Sequence, residues 1–425
     1  MMHLTDEQTA ILNGSKGEVF AKVMKSLYMY GNTFDAEKMV PVTSEYNHLV
    51  TSFGLGSLKP VYELMEKLIT AGAVSNQKFS VDPRPLDKNV PSSFLQNLVF
   101  KRVMYSKQDY YEDLLGKLGL MNKDAFTCTC YMKEVGNTPK KGDVLSWSES
   151  SAVVYANSVL GARCNRNSGI IDLMGSILGY VPYFGLLTDE GRKASWVIEV
   201  KTSHKPEAQL LGSAIGLKVM EAVPYIKGMN QWLGTTLDDA ACTYLKDFGA
   251  ATASNGAVGL YHIADLTPDA CEMGEQLIKE NAKVYVIDDD ELLKVKNSYP
   301  VIWKNTNEKP KLCFLGCPHM SLQQMKDWTD QVEIGLKLSG NKKVMIPTVF
   351  TAAPDVLKEF EKTSYAERLK ETGVITSYIC PLMYMNNPLS AKIPVITSSN
   401  KLRTYTTSRY YTEAEILQQI TQGGL

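Results

Sequence analysis

The C-terminal third of the chain alternates short, continuous apolar runs with longer amphipathic segments. The apolar runs predict strands at "KVYVID", "KLCFLG", "KKVMIPTVF", "VITSYICPL" and "KIPVITSS". The amphipathic segments predict helices at "DDELLKVKNSY", "SLQQMKDWTDQVEIGLKL" and "PDVLKEFEKTSYAERLKETG". Strands without polar alternation, separated by helices, are typical of a mostly parallel sheet whose two faces are covered.

The N-terminal part has a less regular pattern. Thr5 is a predicted N-cap with Gln8 as its capping-box partner, and a second helix is predicted from Glu18 to Gly31. Further helices are predicted at "PVYELMEKLITAG", "SKQDYYEDLLGKLG", "WSESSAVVYANSVLG", "EAQLLGSAIGLKVMEAV" and "TLDDAACTYLKDFG", and a strand at "SWVIEV". We therefore predict an α/β fold of mostly parallel sheets flanked by helices. Residues 1–280 would form one or more mixed lobes, and residues 281–425 a regular α/β lobe.

Composition and charge exclude several classes of protein. The 425 residues carry 45 Lys and Arg against 46 Asp and Glu, and no dense basic run predicts a nucleic-acid surface. No stretch of about 18 or more apolar residues predicts a membrane span. The first residues, "MMHLTDEQTAIL", are acidic where a signal peptide is basic. We expect a cytoplasmic protein that binds neither membranes nor nucleic acid.

Three of the eight cysteines lie where they could share one site. Cys317 follows the end of a predicted strand and Cys380 lies near the end of another, so both belong to the edge where parallel sheets bind ligands. Cys128 comes from a distant segment, "AFTCTCYM". Three such thiolates could hold iron or an iron–sulfur cluster with one coordination position open to substrate.

Burial in the core is the competing interpretation for any single cysteine. We prefer that interpretation for Cys242, Cys271 and Cys313. The chain has no Cys-x-x-Cys pair, so spacing alone does not predict a metal site. Other motifs are absent too: there is no Gly-x-Ser-x-Gly elbow, P-loop or His-Glu-x-x-His. The segment "GLGSLK" at 54–59 resembles part of a dinucleotide loop, which keeps a dehydrogenase as a weaker hypothesis.

Four segments carry a family resemblance. "WSESSAVVYANSVLGARCNRNSG" at 147–169 closely resembles the "ESSAVVYANSVLGARTNR" segment of the aconitase X family. "LGCPHMSL" resembles that family's "GCPH", "TCTCYM" its "TCTPY", and "VITSSNKLRTY" at 395–405 its "TNSAKAAHY". The resemblance covers nearly the whole chain, and the long central segment is specific.

The resemblance implies an aconitase-superfamily hydro-lyase that removes water from a small hydroxylated carboxylate. Cis-3-hydroxy-L-proline is the substrate that we place first, with mevalonate 5-phosphate as the alternative. The family's iron–sulfur cluster would be held by Cys128, Cys317 and Cys380. The family also needs a small swivelling domain, so the chain resembles a large catalytic subunit that takes a separate small subunit as partner.

The matched motifs also imply substrate contacts. Arg163 is the expected carboxylate clamp, because a guanidinium can bind a carboxylate through two parallel hydrogen bonds. The other expected pocket residues share these motifs or the matching N-terminal stretch: Tyr46, His48, Glu149, Ser150, Ser151, Asn157, Asn165, His319, Ser399 and Lys401. Helix capping is the alternative role for Ser150, and the catalytic base is not identified by any motif.

The chain departs from the family pattern at several of these positions. Tyr46 stands where a histidine is usual, with His48 displaced by two positions, and Ser398 and Thr404 replace an asparagine and a histidine of the tail. Cys130 replaces a proline and is a competing ligand candidate. We interpret the changes as retained dehydratase chemistry on an altered substrate. A non-catalytic assembly subunit that kept the fold is the alternative.

Overall fold

The computed structural model describes residues 1–423 and confirms the predicted α/β architecture. Thr5 caps the first helix in the predicted capping box with Gln8. The second helix begins at Glu18 as predicted and ends at Thr33, two residues beyond the predicted Gly31. None of the described helices combines the length and the apolar composition that crossing a bilayer requires.

The N-terminal region contains seven α-helices and four short strands. Its helices are α1 (Asp6–Leu12), α2 (Glu18–Thr33), α3 (Lys59–Thr70), α4 (Phe94–Val99), α5 (Gln108–Leu118), α6 (Ser150–Ser158) and α7 (Gly169–Leu178). Its strands are β1 (Met39–Pro41), β2 (Asn47–Leu49), β3 (Phe79–Val81) and β4 (Tyr180–Pro182). Strands β1 and β4 pair antiparallel, whereas β2 and β3 pair parallel.

The middle region is built on a parallel four-stranded sheet of order β7-β6-β5-β8. Its strands are β5 (Ala194–Val200), β6 (Pro224–Lys227), β7 (His262–Ile263) and β8 (Ile278–Ile287). Its helices are α8 (Ala208–Val219), α9 (Asn230–Leu233), α10 (Asp239–Asn255), α11 (Pro268–Met273) and α12 (Asp289–Asn297). Strand β8 spans residues 280 and 281, where the sequence suggested a lobe boundary, and it pairs with β5 of this sheet.

The C-terminal region is built on a parallel five-stranded sheet of order β11-β10-β9-β12-β13. Its strands are β9 (Leu312–Met320), β10 (Thr348–Ala352), β11 (Ile375–Ser377), β12 (Val395–Thr397) and β13 (Arg409–Tyr410). Its helices are α13 (Leu322–Ser339), α14 (Pro354–Glu361), α15 (Ser364–Glu371), α16 (Pro381–Met385), α17 (Asn400–Tyr405) and α18 (Glu413–Gln422). The single helix predicted at "PDVLKEFEKTSYAERLKETG" is therefore two helices, α14 and α15.

Two predicted strands are shorter than their apolar runs. Strand β10 begins only at Thr348, and β11 ends at Ser377, so that Cys380 precedes helix α16 rather than lying inside a strand. Pro381 occupies the first position of α16, where its fixed φ suits a helix start. An apolar run in the sequence indicates buried residues rather than a strand as such. Here the buried residues continue past strand β11 into helix α16.

Candidate functional site

A cavity of about 410 Å³ lies where two parallel arrangements of strands present their carboxyl ends. One is the five-stranded C-terminal sheet, and the other is the small parallel pairing of β2 and β3. Ligands of parallel sheets bind at this edge, because loops and helix N-termini gather there. The cavity is therefore the candidate active site.

The C-terminal sheet brings two of the candidate cysteines and a lysine to this cavity. Cys317, expected just after its strand, lies inside the central strand β9 as the sixth of nine residues, where the ladder with β10 shifts register. Cys380 lies directly before α16. Strand β12 leads into α17, which begins with Ser399 as N-cap and carries Lys401 in its first turn. Cys317, Cys380 and Lys401 all line the cavity.

The N-terminal region supplies the opposite wall through four parallel segments. Strand β2 pairs with β3, Val81 bridges to Phe126, and His48 bridges to Trp147, all in parallel. The residues that follow these pairings are Val50, Asp82, Cys128 and Glu149, and each of them lines the cavity.

The three thiols therefore line one cavity. Their position at a strand end predicted this for Cys317 and Cys380, whereas Cys128 was expected there from the family resemblance. Burial raises the pKa of the thiols of Cys128, Cys317 and Cys380 above the usual range. The nearby Lys401 ammonium opposes that rise at all three thiols. Cysteine binds metal as the thiolate. The Lys401 ammonium favours that charged form, so its position suits a set of cysteine ligands.

His319 ties the three cysteine segments together. Its backbone N–H donates to Sγ of Cys128 at 3.4 Å, and its ring Nε2 lies 3.2 Å from the carbonyl of Ile379, next to Cys380. Because a carbonyl only accepts, Nε2 carries the proton and Nδ1 accepts from the Thr127 hydroxyl at 3.0 Å. Burial lowers the pKa of His319 to about 4, which fits this neutral tautomer.

Glu149 and Lys401 form a buried ion pair in the cavity wall. The Lys401 ammonium donates to Oε1 of Glu149, and Oε2 accepts from Oγ of Ser151 and from the backbone N–H of Ala152, each at 2.6 Å. Burial alone would raise the pKa of Glu149, but Lys401, Ser151 and the Ala152 N–H together outweigh it and lower that pKa. Burial likewise opposes the charge of Lys401, and Glu149 with the thiols of Cys128 and Cys317 raises the pKa of Lys401. Both groups are therefore charged at neutral pH.

Asp82 and His48 face each other without a hydrogen bond. Nε2 of His48 and Oδ1 of Asp82 are 3.8 Å apart, and both atoms are buried with no hydrogen-bond partner. The other ring nitrogen of His48, Nδ1, is 2.9 Å from Oγ of Ser80. Burial raises the pKa of Asp82 well above its usual range, and the charge of Glu149 adds to the rise. Asp82 thus lines the cavity with a carboxyl oxygen, Oδ1, that has no hydrogen-bond partner.

Several residues expected from the motifs do lie in or beside this cavity. Ser150 lines it at the start of α6, where Glu149 is the N-cap. Ser151 is buried and bonded to Glu149. Ser399 is buried, caps α17 and donates to the backbone carbonyl of Cys317. His48 is buried behind the lining residue Asp82.

Four expected substrate contacts are placed elsewhere. The Arg163 guanidinium donates to the carbonyl of Leu187 at 2.7 Å and to Asp189 at 2.5 Å, so it is already occupied. Asn157 and Asn165 are buried and hydrogen-bonded to backbone groups of neighbouring loops. Tyr46 borders a separate surface pocket. The resemblance located the motif correctly, but it could not say which polar groups of the motif the fold itself uses.

The cavity-lining Asp82 was missed from sequence, although it directly follows a strand, and that position was a usable signal. Arg166 lies three residues after Arg163 in the same motif and makes no hydrogen bond or ion pair with any described residue. Sequence alone does not distinguish the free arginine from the bonded one.

The remaining cysteines lie outside the cavity lining. Cys130, Cys164 and Cys313 are buried, and Cys242 is partly buried. Cys271, expected in the core, is exposed, because it lies on the outer side of the short helix α11. In residues 1–423, no three His, Cys, Asp or Glu side chains are close enough to hold a single metal ion. A cluster has dimensions of its own, so its cysteine ligands stand further apart than the ligands of one ion. Three thiols lining one cavity are donors of the kind that iron–sulfur clusters take.

Comparisons with known proteins point in one direction. Models of the aconitase X first, second and third domains match residues 1–190, 194–297 and 310–419. In solved structures, the chain is similar to the holo-form of Thermococcus kodakaraensis aconitase X. That match has a TM-score of 0.79 and 27% identity, and covers 99% of this chain and 100% of the other.

Curated relatives include two kinds of dehydratase. The chain is 30% identical over 368 residues to the phosphomevalonate dehydratase large subunit of Thermococcus kodakarensis, covering 86% of this chain and 85% of the relative. It is 29% identical over 415 residues to that of Methanocaldococcus jannaschii, covering 95% of each chain. It is 27% identical over 339 residues to the cis-3-hydroxy-L-proline dehydratase of Hypocrea jecorina, covering 76% of this chain but 52% of that one.

Proposed function

This chain belongs to the aconitase X family of hydro-lyases, and we propose that it is the large catalytic subunit of an iron–sulfur dehydratase acting on a small hydroxylated carboxylate. The observation that carries the proposal is the convergence of Cys128, Cys317 and Cys380 on one cavity. These three cysteines would hold the cluster, which when bound supplies a Lewis-acidic iron for the departing hydroxyl.

The protein's own residues account for the rest of the chemistry. His319 fixes the relative positions of the three cysteine segments through its backbone N–H and both ring nitrogens. The Glu149–Lys401 pair places a positive charge beside the thiols and at the cavity wall. Asp82 lines the cavity, and with its Oδ1 buried against Nε2 of His48, its other carboxyl oxygen is the one that would exchange a proton with a bound hydroxy acid.

For the substrate, we place a mevalonate 5-phosphate-type hydroxy acid first and a cis-3-hydroxy-L-proline-type acid second, which reverses the order expected from sequence. The support is coverage: a phosphomevalonate dehydratase large subunit matches over 95% of both chains. The hydroxyproline dehydratases match over 52% and 25% of their own length. The names of the first group also support a separate small subunit as partner, the expected swivel domain. A cytoplasmic location remains a prediction that the eight unpaired cysteines favour.

Iron binding tests the cluster assignment. The chain, co-expressed with its small subunit and purified without oxygen, should contain iron and acid-labile sulfide and absorb in the visible range. Cys128→Ala, Cys317→Ala and Cys380→Ala should each lose most of the iron. Cys313→Ala is the matched control, because Cys313 lies in the same strand as Cys317 and is buried outside the cavity lining. Equal iron in the control and the three variants would refute the ligand set.

Turnover tests the reaction and the substrate class. Mevalonate 5-phosphate and cis-3-hydroxy-L-proline are supplied separately, and the loss of one water is followed by mass spectrometry. We expect dehydration of the phosphorylated acid. A cluster-loaded complex that dehydrates neither acid, nor others in a broader panel, would instead support the non-catalytic assembly subunit.

A further inference from the structure

His48 and Asp82 are two buried groups whose facing atoms have no other partner. The side chain of His48 in strand β2 is 0% exposed, and Asp82 directly follows the paired strand β3. Nε2 of His48 and Oδ1 of Asp82 are 3.8 Å apart, and neither atom has a hydrogen-bond partner among the described residues. Leaving a nitrogen and an oxygen buried without partners is costly, so the pair calls for an explanation.

The gap between the two atoms is too narrow for a bridging water. A water bonded to both atoms would hold them about 4.5 Å or more apart, since each of its hydrogen bonds spans about 2.8 Å. A direct hydrogen bond needs an approach of about 1 Å. Hydrogen bonds within a catalytic site are often long without substrate and shorten when it binds. Each of the two atoms is therefore the partner available to the other.

The hydrogen bonds of Ser80 fix which nitrogen of His48 carries the proton. Oγ of Ser80 accepts from Nδ2 of Asn137 at 2.9 Å and lies 2.9 Å from Nδ1 of His48. The Ser80 side chain is fully buried, and Nδ1 is the acceptor that its single hydroxyl proton can reach within residues 1–423. Nδ1 therefore accepts, and the proton of the ring lies on Nε2, facing Asp82. Burial lowers the pKa of His48 to about 4, which keeps the ring neutral at neutral pH.

The two oxygens of Asp82 have different surroundings. Oδ1 is buried against His48, whereas the side chain as a whole is 14% exposed and lines the cavity. Oδ2 is therefore the oxygen left for a ligand of the cavity. Burial and Glu149 raise the pKa of Asp82, and Lys401 lowers it. An N–H donated to Oδ1 favours the charged carboxylate, which is the form that accepts a proton.

We propose that His48 is the positioning residue of Asp82: its Nε2–H donates to Oδ1 when substrate binds and so directs Oδ2 toward a carbon-bound proton of the acid. The proposal rests on the proposed dehydratase function, to which it adds the residue that orients the base. Oδ2 takes the proton, the electron pair of the C–H bond forms the double bond, and the hydroxyl leaves with the electron pair of the C–O bond. The proton and the hydroxide together are the water that is lost.

Packing is the competing explanation for a histidine at this position. The ring of His48 meets the ring of Trp147 edge to face, with centroids 5.7 Å apart, and the two residues also form a backbone bridge. Packing explains why the ring is buried. It does not explain why Nε2 faces a carboxyl oxygen while Ser80 supplies a donor to Nδ1. A test must therefore separate an orienting N–H from a packed ring.

Two amide variants of the intact complex separate the two nitrogens of His48. Glutamine can place an N–H near the position of Nε2, whereas asparagine reaches only the position of Nδ1. We expect His48→Asn to lower kcat about 10- to 100-fold and His48→Gln to lower it only about threefold. KM should change less than about threefold in both variants, since neither change removes a group that touches substrate. A wild-type kcat in His48→Asn, or equal losses in the two variants, would overturn the proposal.

The Asp82→Asn background distinguishes positioning from packing. If His48 acts through Asp82, adding His48→Asn to Asp82→Asn should lower kcat no further, because no base is left to orient. A packing role predicts instead that His48→Asn lowers kcat by the same factor in both backgrounds, and that result would contradict the proposal.

Nitrogen NMR of the histidine-labelled complex tests the arrangement without turnover. The signals of His48 are identified by their loss in His48→Gln. We expect the proton on Nε2 at neutral pH, and a shift of the Nε2 signal in Asp82→Asn but not in Asp124→Asn, because Asp124 is bonded to Lys358 outside the cavity. The opposite tautomer would overturn the role of His48 and leave the dehydratase assignment intact. The expected tautomer in a cluster-loaded complex that dehydrates no acid would overturn both.

Discussion

Two carboxyl groups line the cavity, and their surroundings give them different roles. Glu149 is fully bonded and charged, while Asp82 has a buried oxygen without a partner and a raised pKa. The first holds a cation in place. The second lines the cavity with one oxygen buried against His48, which leaves its other oxygen to contact a ligand.

We expect Asp82→Asn to lower kcat by about 100-fold or more while preserving the fold, because an amide cannot exchange a proton with substrate. The free energy of unfolding should stay the same or rise, since the change removes a buried carboxyl with an unbonded oxygen. The measurement is kcat of the intact complex together with urea unfolding. Asp124→Asn is the control, as Asp124 is bonded to Lys358 outside the cavity. Wild-type kcat in Asp82→Asn would remove Asp82 from the reaction.

The buried Glu149–Lys401 pair should show strong coupling. The side chains are only 5% and 11% exposed, so Lys401→Met leaves a carboxylate buried and unpaired, at a cost of about 3–5 kcal/mol. Glu149→Gln in the same chain should restore much of that stability, because the isolated charge disappears. Urea unfolding of the two single variants and the double variant measures the coupling. Additive effects of the two changes would contradict a direct pair.

Among the secondary-structure elements, strand β9 is tightly constrained at its middle residue, Gly316. Gly316 has a φ of +99°, and a Cβ added there would come within 2.3 Å of the Thr351 carbonyl in β10. The ladder between β9 and β10 shifts register at this point, which sets the position of Cys317 relative to its neighbours. Only glycine satisfies both the conformation and the close approach.

Gly316→Ala should therefore destabilise the fold by about 2–4 kcal/mol, combining left-handed strain with a backbone clash. It should also lower the iron content, because Cys317 is displaced with the strand. Gly340→Ala is the matched control: Gly340 also has a positive φ, +73°, but open space around it at the end of α13. Strain alone predicts a loss of about 1 kcal/mol there and full iron content. Equal losses in both variants would show that the contact with β10 is unimportant.

Across the whole molecule, a buried histidine makes stability depend on pH. His262 in β7 is 1% exposed, and its Nε2 lies 2.8 Å from the carbonyl of Arg192. Burial lowers its pKa from 6.5 to about 4. The folded protein therefore holds it neutral, and its contribution to stability is complete above pH 6.5. As the pH falls toward 4, the unfolded chain gains a proton that the folded chain does not accept, and the contribution is lost.

Because the pKa of His262 is lowered in the folded protein, we expect the wild type to lose about 2 kcal/mol more stability than His262→Gln between pH 7 and pH 5. The glutamine keeps an N–H donor and cannot be protonated in this range. Comparing the two proteins by urea unfolding at both pH values cancels the other titrating groups, including the buried Asp172 with its raised pKa. Parallel pH dependence in the two proteins would show that His262 does not carry this linkage.

The sequence by itself determined the architecture, because each element is encoded locally. The Thr5 capping box, the β9 and β12 apolar runs and the periodicity of α13 are all present in short windows of sequence and are all observed. The family motifs also located the segments around the cavity. Element ends were less well predicted: Cys380 lies in an apolar run that burial extends beyond strand β11.

Only the tertiary structure decided which polar groups are free. Arg163 and Arg166 stand in one motif, and their difference arises from Leu187 and Asp189, which the fold brings to Arg163 alone. Likewise, Asp82 belongs to the cavity because β3 pairs beside β2 and the Cys128 segment. A hydrogen bond between residues distant in sequence depends on how the strands are ordered. No local pattern contains that information, so the bonding state of each candidate residue is a property of the folded chain.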